Sequence, residues 1–201
     1  MKIINCEQGT EEWLNHRLGV ATASNFNKII TSKGDLSKTI KTYALQLASE
    51  LLTIRQEEGF KSDDMIRGNQ LEEEARAAYE EYNFVKVDQV GFVSCDDYGY
   101  SPDGFVGKDG AVEFKCPKSH THVKYLADNK LPTEYKAQVQ GGLFCTGRQW
   151  CDFVSYHPDF IEDKRLLVVR VNRDEEFISK LKIGINKVIE MRNEIIKKIK
   201  G

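Results

Sequence analysis

The stretch that decides the fold reads Ser101-Pro102-Asp103-Gly104, then the turn Gly107-Lys108-Asp109-Gly110, then Val112-Glu113-Phe114-Lys115. Side chains alternate between the two faces of a strand, so Glu113 and Lys115 share one face. The glycine-containing turn indicates a hairpin, which brings Asp103 opposite Glu113 or one register step away. We therefore expect two carboxylates and an ammonium group to converge on one patch of a β-sheet.

This convergence predicts a metal site. Carboxylates placed close together repel each other unless a cation lies between them, and hard oxygen ligands select Mg²⁺ or Mn²⁺ over zinc. A metal held by Asp103 and Glu113 can polarise a scissile phosphate and lower the pKa of a bound water. Lys115 would orient or deprotonate that water, and the backbone carbonyl of Phe114 can supply a further oxygen ligand.

The alternative is a surface ion pair on an ordinary hairpin, which would contribute little to stability. Three features favour the metal site over this alternative. A proline precedes Asp103, a turn separates it from Glu113, and the surrounding strand positions are apolar.

The chain around the hairpin changes its hydrophobic period from helical to strand-like. We expect helices from Thr10 and at 22–30, 37–52, 65–82, 133–145 and 174 onward, and strands at 84–94, 100–106, 111–116, 151–157 and 165–171. The polar stretch 55–64 is expected to be a mobile loop. The pattern predicts one α/β (α+β) domain over 1–201, with a helical N-terminal part at about 10–82 and a core at about 84–172. That core is a central mixed β-sheet flanked by helices.

Composition limits the classes of protein that remain. The chain is 40% hydrophobic and 30% charged, its net charge is -2, and its five cysteines form no C-x-x-C pair. This favours a globular protein with reduced thiols over a disulfide or zinc framework. No apolar run suits a membrane span and no signal-peptide pattern opens the chain, so we expect a cytoplasmic protein with no membrane partner. The charge counts mildly against DNA as a partner, although acidic outer faces can offset a basic groove.

A series of short motifs is similar, in content and order, to the lambda-type, or alkaline, exonucleases used in viral recombination. The motifs are Glu12-Trp13, Arg17-Leu18-Gly19, Thr22-Ala23-Ser24, Gly68 with Glu72, Ser101-Pro102-Asp103-Gly104, Glu113-Phe114-Lys115-Cys116-Pro117 and Ala137-Gln138-Val139-Gln140. Asp103, Glu113 and Lys115 also resemble the P-D…(D/E)-x-K signature of the restriction-endonuclease-like nuclease superfamily. The resemblance runs from about Glu7 to the C-terminal helix and implies a restriction-endonuclease-like core.

The resemblance implies roles for individual residues of a catalytic site. Asp103 and Glu113 would bind metal with help from the Phe114 carbonyl, and Lys115 would activate the attacking water. Glu72 would reach toward a second metal ion from its helix. Without the resemblance, Glu72 would be interpreted as a solvated helix acid.

The resemblance also implies a site for the terminal 5′-phosphate of DNA. Its residues would be Arg17, Ser24, Ser101 and Gln138, and Gln140 is expected to line the same cleft. An arginine makes bidentate contacts to phosphate, and Ser24 lies near a helix N-terminus, where anions bind.

Two other features are expected to be structural. Core packing is the default expectation for Trp13, because large aromatic side chains are mostly buried. The segment His120-Thr121-His122 is expected to be a solvated polar loop rather than a metal site, since no carboxylate or cysteine accompanies it.

The implied activity is a Mg²⁺-dependent exonuclease with one or two metal ions. It would degrade one strand of linear double-stranded DNA from a 5′-phosphate end, release mononucleotides and leave a 3′ single-stranded tail. A ring-shaped homotrimer around DNA and a single-strand annealing protein as partner are also implied. Two alternatives stay open: a restriction or junction-resolving endonuclease on the same core, and a catalytically silent DNA-binding module.

Overall fold

The protein, represented by a computed structural model, is described over residues 1–56 and 63–201, without the side chains at 63–66 and 69. Most of the stretch predicted as a loop at 55–64 therefore lies outside the described residues. The helices are α1 Glu11–Asn15, α2 Ile40–Thr53, α3 Asp63–Asn83, α4 Ser119–Asp128, α5 Lys136–Thr146 and α6 Glu175–Lys200, with 3₁₀ helices Ala23–Lys28, Thr133–Tyr135 and Glu162–Lys164. The strands are β1 Lys2–Ile4, β2 Ala21–Thr22, β3 Val87–Asp88, β4 Phe92–Cys95, β5 Tyr98–Tyr100, β6 Gly104–Val106, β7 Gly110–Lys115, β8 Trp150–Tyr156 and β9 Leu166–Asn172.

The strands form two mixed sheets with helices around them. The larger sheet has the order β3-β6-β7-β8-β9, in which β7 is antiparallel to β6 and parallel to β8. The smaller sheet has the order β1-β4-β5-β2. Strands β7 and β8 are buried along almost their whole length, as parallel neighbours covered on both faces usually are. The predicted mixed α/β fold is confirmed, but the single central sheet is corrected to two.

The second sheet exists because two predicted strands are each broken in the middle. The predicted strand 84–94 divides into β3 and β4 around Gly91, where a Cβ atom would lie 2.2 Å from the Cys6 carbonyl oxygen. The predicted strand 100–106 divides into β5 and β6 around Pro102, which has no N–H to donate to a ladder. Each predicted strand thus contributes to both sheets.

Two helices, α1 and α6, begin at side-chain caps that the sequence contains. The Thr10 hydroxyl accepts a hydrogen bond from the Trp13 backbone N–H at 3.3 Å, and the Asp174 carboxylate accepts one from Phe177 N–H at 3.0 Å. A side-chain acceptor at the N-cap satisfies one of the free donors of the first turn. Both predicted helix starts are confirmed.

The glycine pair in α5 allows close packing between elements. A Cβ atom at Gly141 would lie 2.2 Å from the Phe26 ring, and one at Gly142 would lie 2.7 Å from the Tyr100 ring. Glycine costs a helix about 1 kcal/mol relative to alanine. Here the missing side chains bring α5 directly against β5 and the 3₁₀ helix at residues 23–28.

The prediction of a solvated loop at His120-Thr121-His122 was wrong. These residues belong to α4, and the His122 side chain is fully buried. Its Nδ1 lies 2.7 Å from the Ser155 hydroxyl and its Nε2 lies 2.8 Å from the Lys164 carbonyl oxygen. Polar composition concealed the helix, because only His122 and Tyr125 of its residues form a buried face.

All five cysteines are free thiols. Within the described ranges, no helix is long and apolar enough to cross a membrane. The lysines at the end of α6, Lys197, Lys198 and Lys200, are exposed.

Candidate active site

The register of the β6–β7 hairpin places Asp103 at the open end of the pair, opposite the turn. Gly104 lies opposite Val112, and β6 begins only at Gly104. Beyond Val112, β7 therefore has no β6 residue beside it, and the Asp103 carboxylate takes that place. Its Oδ2 accepts a hydrogen bond from the Phe114 N–H at 2.6 Å.

This hydrogen bond also fixes the direction of the Phe114 carbonyl. In an antiparallel ladder, one residue exchanges both its N–H and its C=O with the residue opposite, so both groups point to the same edge. Because the Phe114 N–H points to Asp103, its carbonyl oxygen faces the same edge. A carboxylate and a backbone oxygen thus lie side by side at the end of the hairpin.

Glu113 is almost completely buried, at 2% exposure, and is held by hydrogen-bond donors on three elements. Its Oε1 accepts from Lys115 Nζ at 2.6 Å and from the Gln138 amide of α5. Its Oε2 accepts from the Tyr100 hydroxyl of β5 at 3.1 Å. Hydrogen bonds from three donors hold this buried side chain in one orientation.

When all three are ionised, the carboxyl groups of Asp103, Glu113 and Glu72 carry more negative charge than Lys115 can balance. Burial and then the charge of Glu113 raise the pKa of Asp103 well above its ordinary value, against the opposing effect of Lys115. Burial also raises the pKa of Glu72, with Glu113 adding to the rise. Burial would lower the pKa of Lys115, but the charges of Glu113 and Asp103 raise it instead. One ammonium group is shared by three carboxyl groups.

A divalent cation fits this donor set. The carboxylates of Asp103 and Glu113 and the carbonyl of Phe114 are hard oxygen ligands of the kind that Mg²⁺ accepts. Glu72 lines the same cleft as Asp103 and Lys115; its charge adds to the rise in the pKa of Asp103, and Lys115 opposes the rise in the pKa of Glu72. Among the described residues, however, no three acidic, histidine or cysteine side chains already stand together as a metal cluster. The preformed part of the site is the hairpin end.

A second cluster forms around Ser101, immediately before Pro102 and Asp103. The Ser101 hydroxyl accepts hydrogen bonds from Trp13 Nε1 at 2.9 Å and from Arg17 Nη1 at 3.0 Å. The Arg17 guanidinium lies 3.9 Å from the Trp13 ring centroid. Trp13 lines the cleft and is half-buried, so the expectation of core packing for it was wrong.

The Arg17 side chain retains a donor without a partner. Its Nε is buried and makes no hydrogen bond within the described chain. Burial lowers the pKa of Arg17 to about 10, which leaves the guanidinium charged near neutral pH. An unpaired buried N–H is costly, and a cationic one pairs best with an anion. The cluster of Trp13, Arg17 and Ser101 is therefore suited to bind an anionic group.

The four residues that the resemblance assigned to the 5′-phosphate are not all together. Arg17 and Ser101 are in contact, whereas the described hydrogen bond of Gln138 is to Glu113. Ser24 is exposed in the 3₁₀ helix Ala23–Lys28, with its hydroxyl 3.3 Å from that of Thr22, and the described hydrogen bonds do not join it to Arg17, Ser101 or Gln138.

The expectation that Gln140 lines the cleft beside Gln138 was wrong. Gln140 is buried, its amide N–H₂ donates to the Asn172 carbonyl at 2.8 Å, and its oxygen accepts from Asp174 N–H at 2.9 Å. Residues two apart in a helix point to different sides. Gln140 therefore connects α5 to the start of α6, while Gln138 reaches Glu113.

The sequence did not reveal Tyr100 as a member of the site. It is 2% exposed, and burial followed by the charge of Glu113 raises the pKa of its hydroxyl well above the ordinary value. The hydroxyl therefore stays protonated and donates to Glu113. Its position directly before Ser101-Pro102-Asp103 was the one available signal, and the contact crosses from one sheet to the other.

Comparison with known proteins identifies the family. A family model described as a YqaJ-like viral recombinase domain matches residues 12–149, which include Arg17, Ser101, Asp103, Lys115 and Gln138. The chain belongs to this family. A search of the curated proteins found no match.

Solved structures agree with the family assignment. An alkaline exonuclease from Laribacter hongkongensis, LHK-Exo, is 34% identical, with a TM-score of 0.88 over 95% of this chain and 96% of that one. The same enzyme in complex with dAMP has a TM-score of 0.87 over the same shares, also at 34% identity. A phage-related exonuclease from Haemophilus somnus 129PT shares the fold, with 16% identity and a TM-score of 0.73 over 90% and 96%. The predicted membership of the lambda-type, alkaline exonuclease family is confirmed, and the chain is a nuclease of that family.

Proposed function

We propose that this protein is a Mg²⁺-dependent exonuclease that degrades one strand of linear double-stranded DNA from its 5′ end and leaves 3′ single-stranded tails for recombination. One observation carries the proposal. The anion-binding cluster of Arg17 and Ser101 adjoins, through Pro102, the acidic hairpin end at Asp103. A terminal phosphate held at the first position would bring the next phosphodiester toward the second.

The residues of the hairpin end would divide the chemistry between them. Asp103, Glu113 and the Phe114 carbonyl would hold Mg²⁺, with Mn²⁺ as a possible substitute, and Glu72 would hold a second ion if two bind. The metal supplies positive charge at the scissile phosphate and lowers the pKa of water. Lys115 would orient or deprotonate the attacking water and offset the charge that develops on the phosphate. Gln138 would keep Glu113 in place through its amide.

The cleft is suited to a polymer. Its volume is about 1830 Å³, larger than the roughly 300–1,000 Å³ of typical small-molecule pockets. The similar LHK-Exo has been solved with dAMP, a molecule with the deoxyribose and phosphate of one DNA unit. Both observations support DNA as the substrate and a mononucleotide as the product.

We propose further that the protein acts as a homotrimeric ring around DNA, with a single-strand annealing protein as partner. A ring needs positive charge only on its inner surface, which accords with the net charge of -2. Light scattering on the purified protein should give the mass of three chains. A monomer mass would contradict the ring and leave the chemistry of the site unaffected.

A linear duplex with a 5′-phosphate at one end and a 5′-hydroxyl at the other tests the activity. With Mg²⁺ we expect digestion to start at the phosphorylated end, to proceed on the 5′ strand and to release mononucleotides. No digestion is expected without divalent metal. A closed circular duplex is the control: cleavage of the circle would contradict the exonuclease and favour an endonuclease on the same core.

A further inference from the structure

The two oxygens of Glu113 are held in different ways. Oε1 accepts both Lys115 Nζ and the Gln138 amide, which occupy its two lone pairs. Among the described contacts, Oε2 accepts only the Tyr100 hydroxyl, at 3.1 Å. One lone pair of Oε2 therefore stays available to a cation, and the direction of that lone pair depends on Tyr100.

The Tyr100 ring is held rigidly in its place. It is 2% exposed, and β5 pairs it with Val93 of β4. On the α5 side, a Cβ atom at Gly142 would lie 2.7 Å from the ring. The ring thus has little room to move, and the smaller sheet presents a fixed hydroxyl to a carboxylate of the larger sheet.

We propose that Tyr100 is the positioning residue that orients the Glu113 carboxylate for metal binding. The proposal rests on the proposed function, because it assumes that Glu113 is a metal ligand. Partners of metal ligands fix the direction of the ligand, and their loss typically weakens metal affinity about 10- to 100-fold. Tyr100 would contribute in this way without touching the metal or the DNA.

A second buried tyrosine provides a matched control. The Tyr79 hydroxyl donates to Asp152 Oδ2 at 2.7 Å, and Tyr79 is 1% exposed. Tyr100→Phe and Tyr79→Phe each remove one hydroxyl from a buried carboxylate and keep the ring. A merely structural role for Tyr100 would give the two variants the same properties.

The experiment is isothermal titration calorimetry of MgCl₂ into the DNA-free protein, with chemical denaturation in parallel. We expect Tyr100→Phe to weaken Mg²⁺ binding about tenfold or more, while Tyr79→Phe keeps the wild-type affinity within about twofold. Both variants should lose stability to a similar extent. Equal Mg²⁺ affinity in Tyr100→Phe and the wild type would overturn the role of Tyr100 but leave the proposed metal site standing.

The remaining outcomes are also decisive. If the wild type binds no Mg²⁺, the proposed metal site and this inference both fail. If Tyr100→Phe does not fold, Gly142→Ala replaces it, because a Cβ atom 2.7 Å from the Tyr100 ring forces the ring and α5 to shift relative to each other. Weaker Mg²⁺ binding by Gly142→Ala would support the inference, and unchanged binding would overturn it.

Discussion

Two buried carboxylates on neighbouring parallel strands differ in a way that separates the proposed active site from a structural ion pair. Glu113 lies on β7 and Asp152 on β8, where Asp152 pairs in register with Val112. Both are at most 2% exposed, and each accepts a hydrogen bond from a buried tyrosine and one or more from a cationic side chain.

The difference lies in the balance of charge. Arg170 donates to both oxygens of Asp152 at 2.8 Å, so one cation meets one anion in bidentate geometry. Glu113 instead shares Lys115 with Asp103, and the charge of Glu72 acts on the same group of carboxyls. Burial alone does not mark a functional carboxylate. A surplus of negative charge beside an open cleft does.

The largest expected effect is on catalysis. Glu113→Gln keeps the shape of the side chain but removes the charge of a proposed metal ligand. Metal stabilisation of the transition state contributes several kcal/mol, so the rate of DNA digestion should fall about 100-fold or more. The amide leaves one of the three donors around Glu113 poorly paired, but it also removes one of several repelling charges, so the unfolding free energy should fall by no more than about 1–3 kcal/mol. A gel assay at saturating Mg²⁺ measures the rate of DNA digestion. Retained activity would contradict a catalytic role for Glu113.

The matched change on the neighbouring strand should act on stability instead. Asp152→Asn weakens the pairing with Arg170 and Tyr79, and a poorly paired buried group costs about 1–3 kcal/mol. Chemical denaturation should show that loss, while the specific rate of the folded protein stays at the wild-type level. A large drop in rate without a loss of stability would remove the distinction between the two carboxylates.

Arg17 and Arg170 allow a matched comparison of the same kind for recognition of the DNA end. Arg17→Lys removes the planar guanidinium beside Ser101, whereas Arg170→Lys changes the partner of Asp152 and the cation 3.7 Å from the Trp150 ring centroid, away from Ser101. Contacts of a charged group contribute about 1.5–3 kcal/mol, so Arg17→Lys should reduce the preference for 5′-phosphate over 5′-hydroxyl ends about tenfold. Arg170→Lys should keep the preference. Rates on the two kinds of DNA end measure it, and equal preferences in both variants would rule out a phosphate role for Arg17.

The smallest expected effect is a pH dependence of stability at a third buried polar group, also next to β8. Burial lowers the pKa of His122 from 6.5, with His157 6.0 Å away adding to the shift and the Lys164 carbonyl opposing it. The unfolded chain therefore binds the proton first as the pH falls. The stabilising contribution of neutral His122 to the unfolding free energy is fully present above about pH 6.5. It is lost as the pH falls through the pKa of His122 in the folded protein.

Denaturation between about pH 7.5 and about pH 5.5 measures this effect. His122→Gln should flatten the dependence, and His157, whose pKa burial also lowers, should account for part of what remains. His120→Gln is the control, because His120 is exposed and on the same helix. An equal pH slope in His122→Gln and the wild type would contradict the assignment.

The centre of the site could be predicted because its parts are local in the chain. Strand alternation places Glu113 and Lys115 on one face, and a short turn returns the chain to Asp103. These relations need only the period of a strand and the length of a hairpin loop. The capped helix starts at Thr10 and Asp174 were predictable for the same reason.

The predictions that were wrong or missing concern packing between segments that are distant in the sequence. Tyr100 reaches Glu113 from another sheet, and hydrophobic alternation does not say to which sheet a strand belongs. The strand periodicity also continued across Pro102, where the chain changes sheets. His122 is buried by its contact with Ser155, a residue 33 positions away. Nothing in the polar segment around His122 indicates that partner.

One failure was a mistake of geometry rather than a limit of the sequence. Gln138 and Gln140 were assigned to one cleft although they are two residues apart in a predicted helix. Helical spacing places neighbours three or four residues apart on one side. That rule separates the two amides from the sequence alone.

The most direct test of the central claim is digestion of linear duplex DNA by Asp103→Asn in Mg²⁺. The substitution keeps the size of the side chain and removes the charge of the carboxylate that lies beside the Phe114 backbone and lines the cleft. The account predicts loss of digestion while the protein stays folded and still binds DNA ends. Digestion at the wild-type rate would contradict the assignment of the hairpin end as the active site.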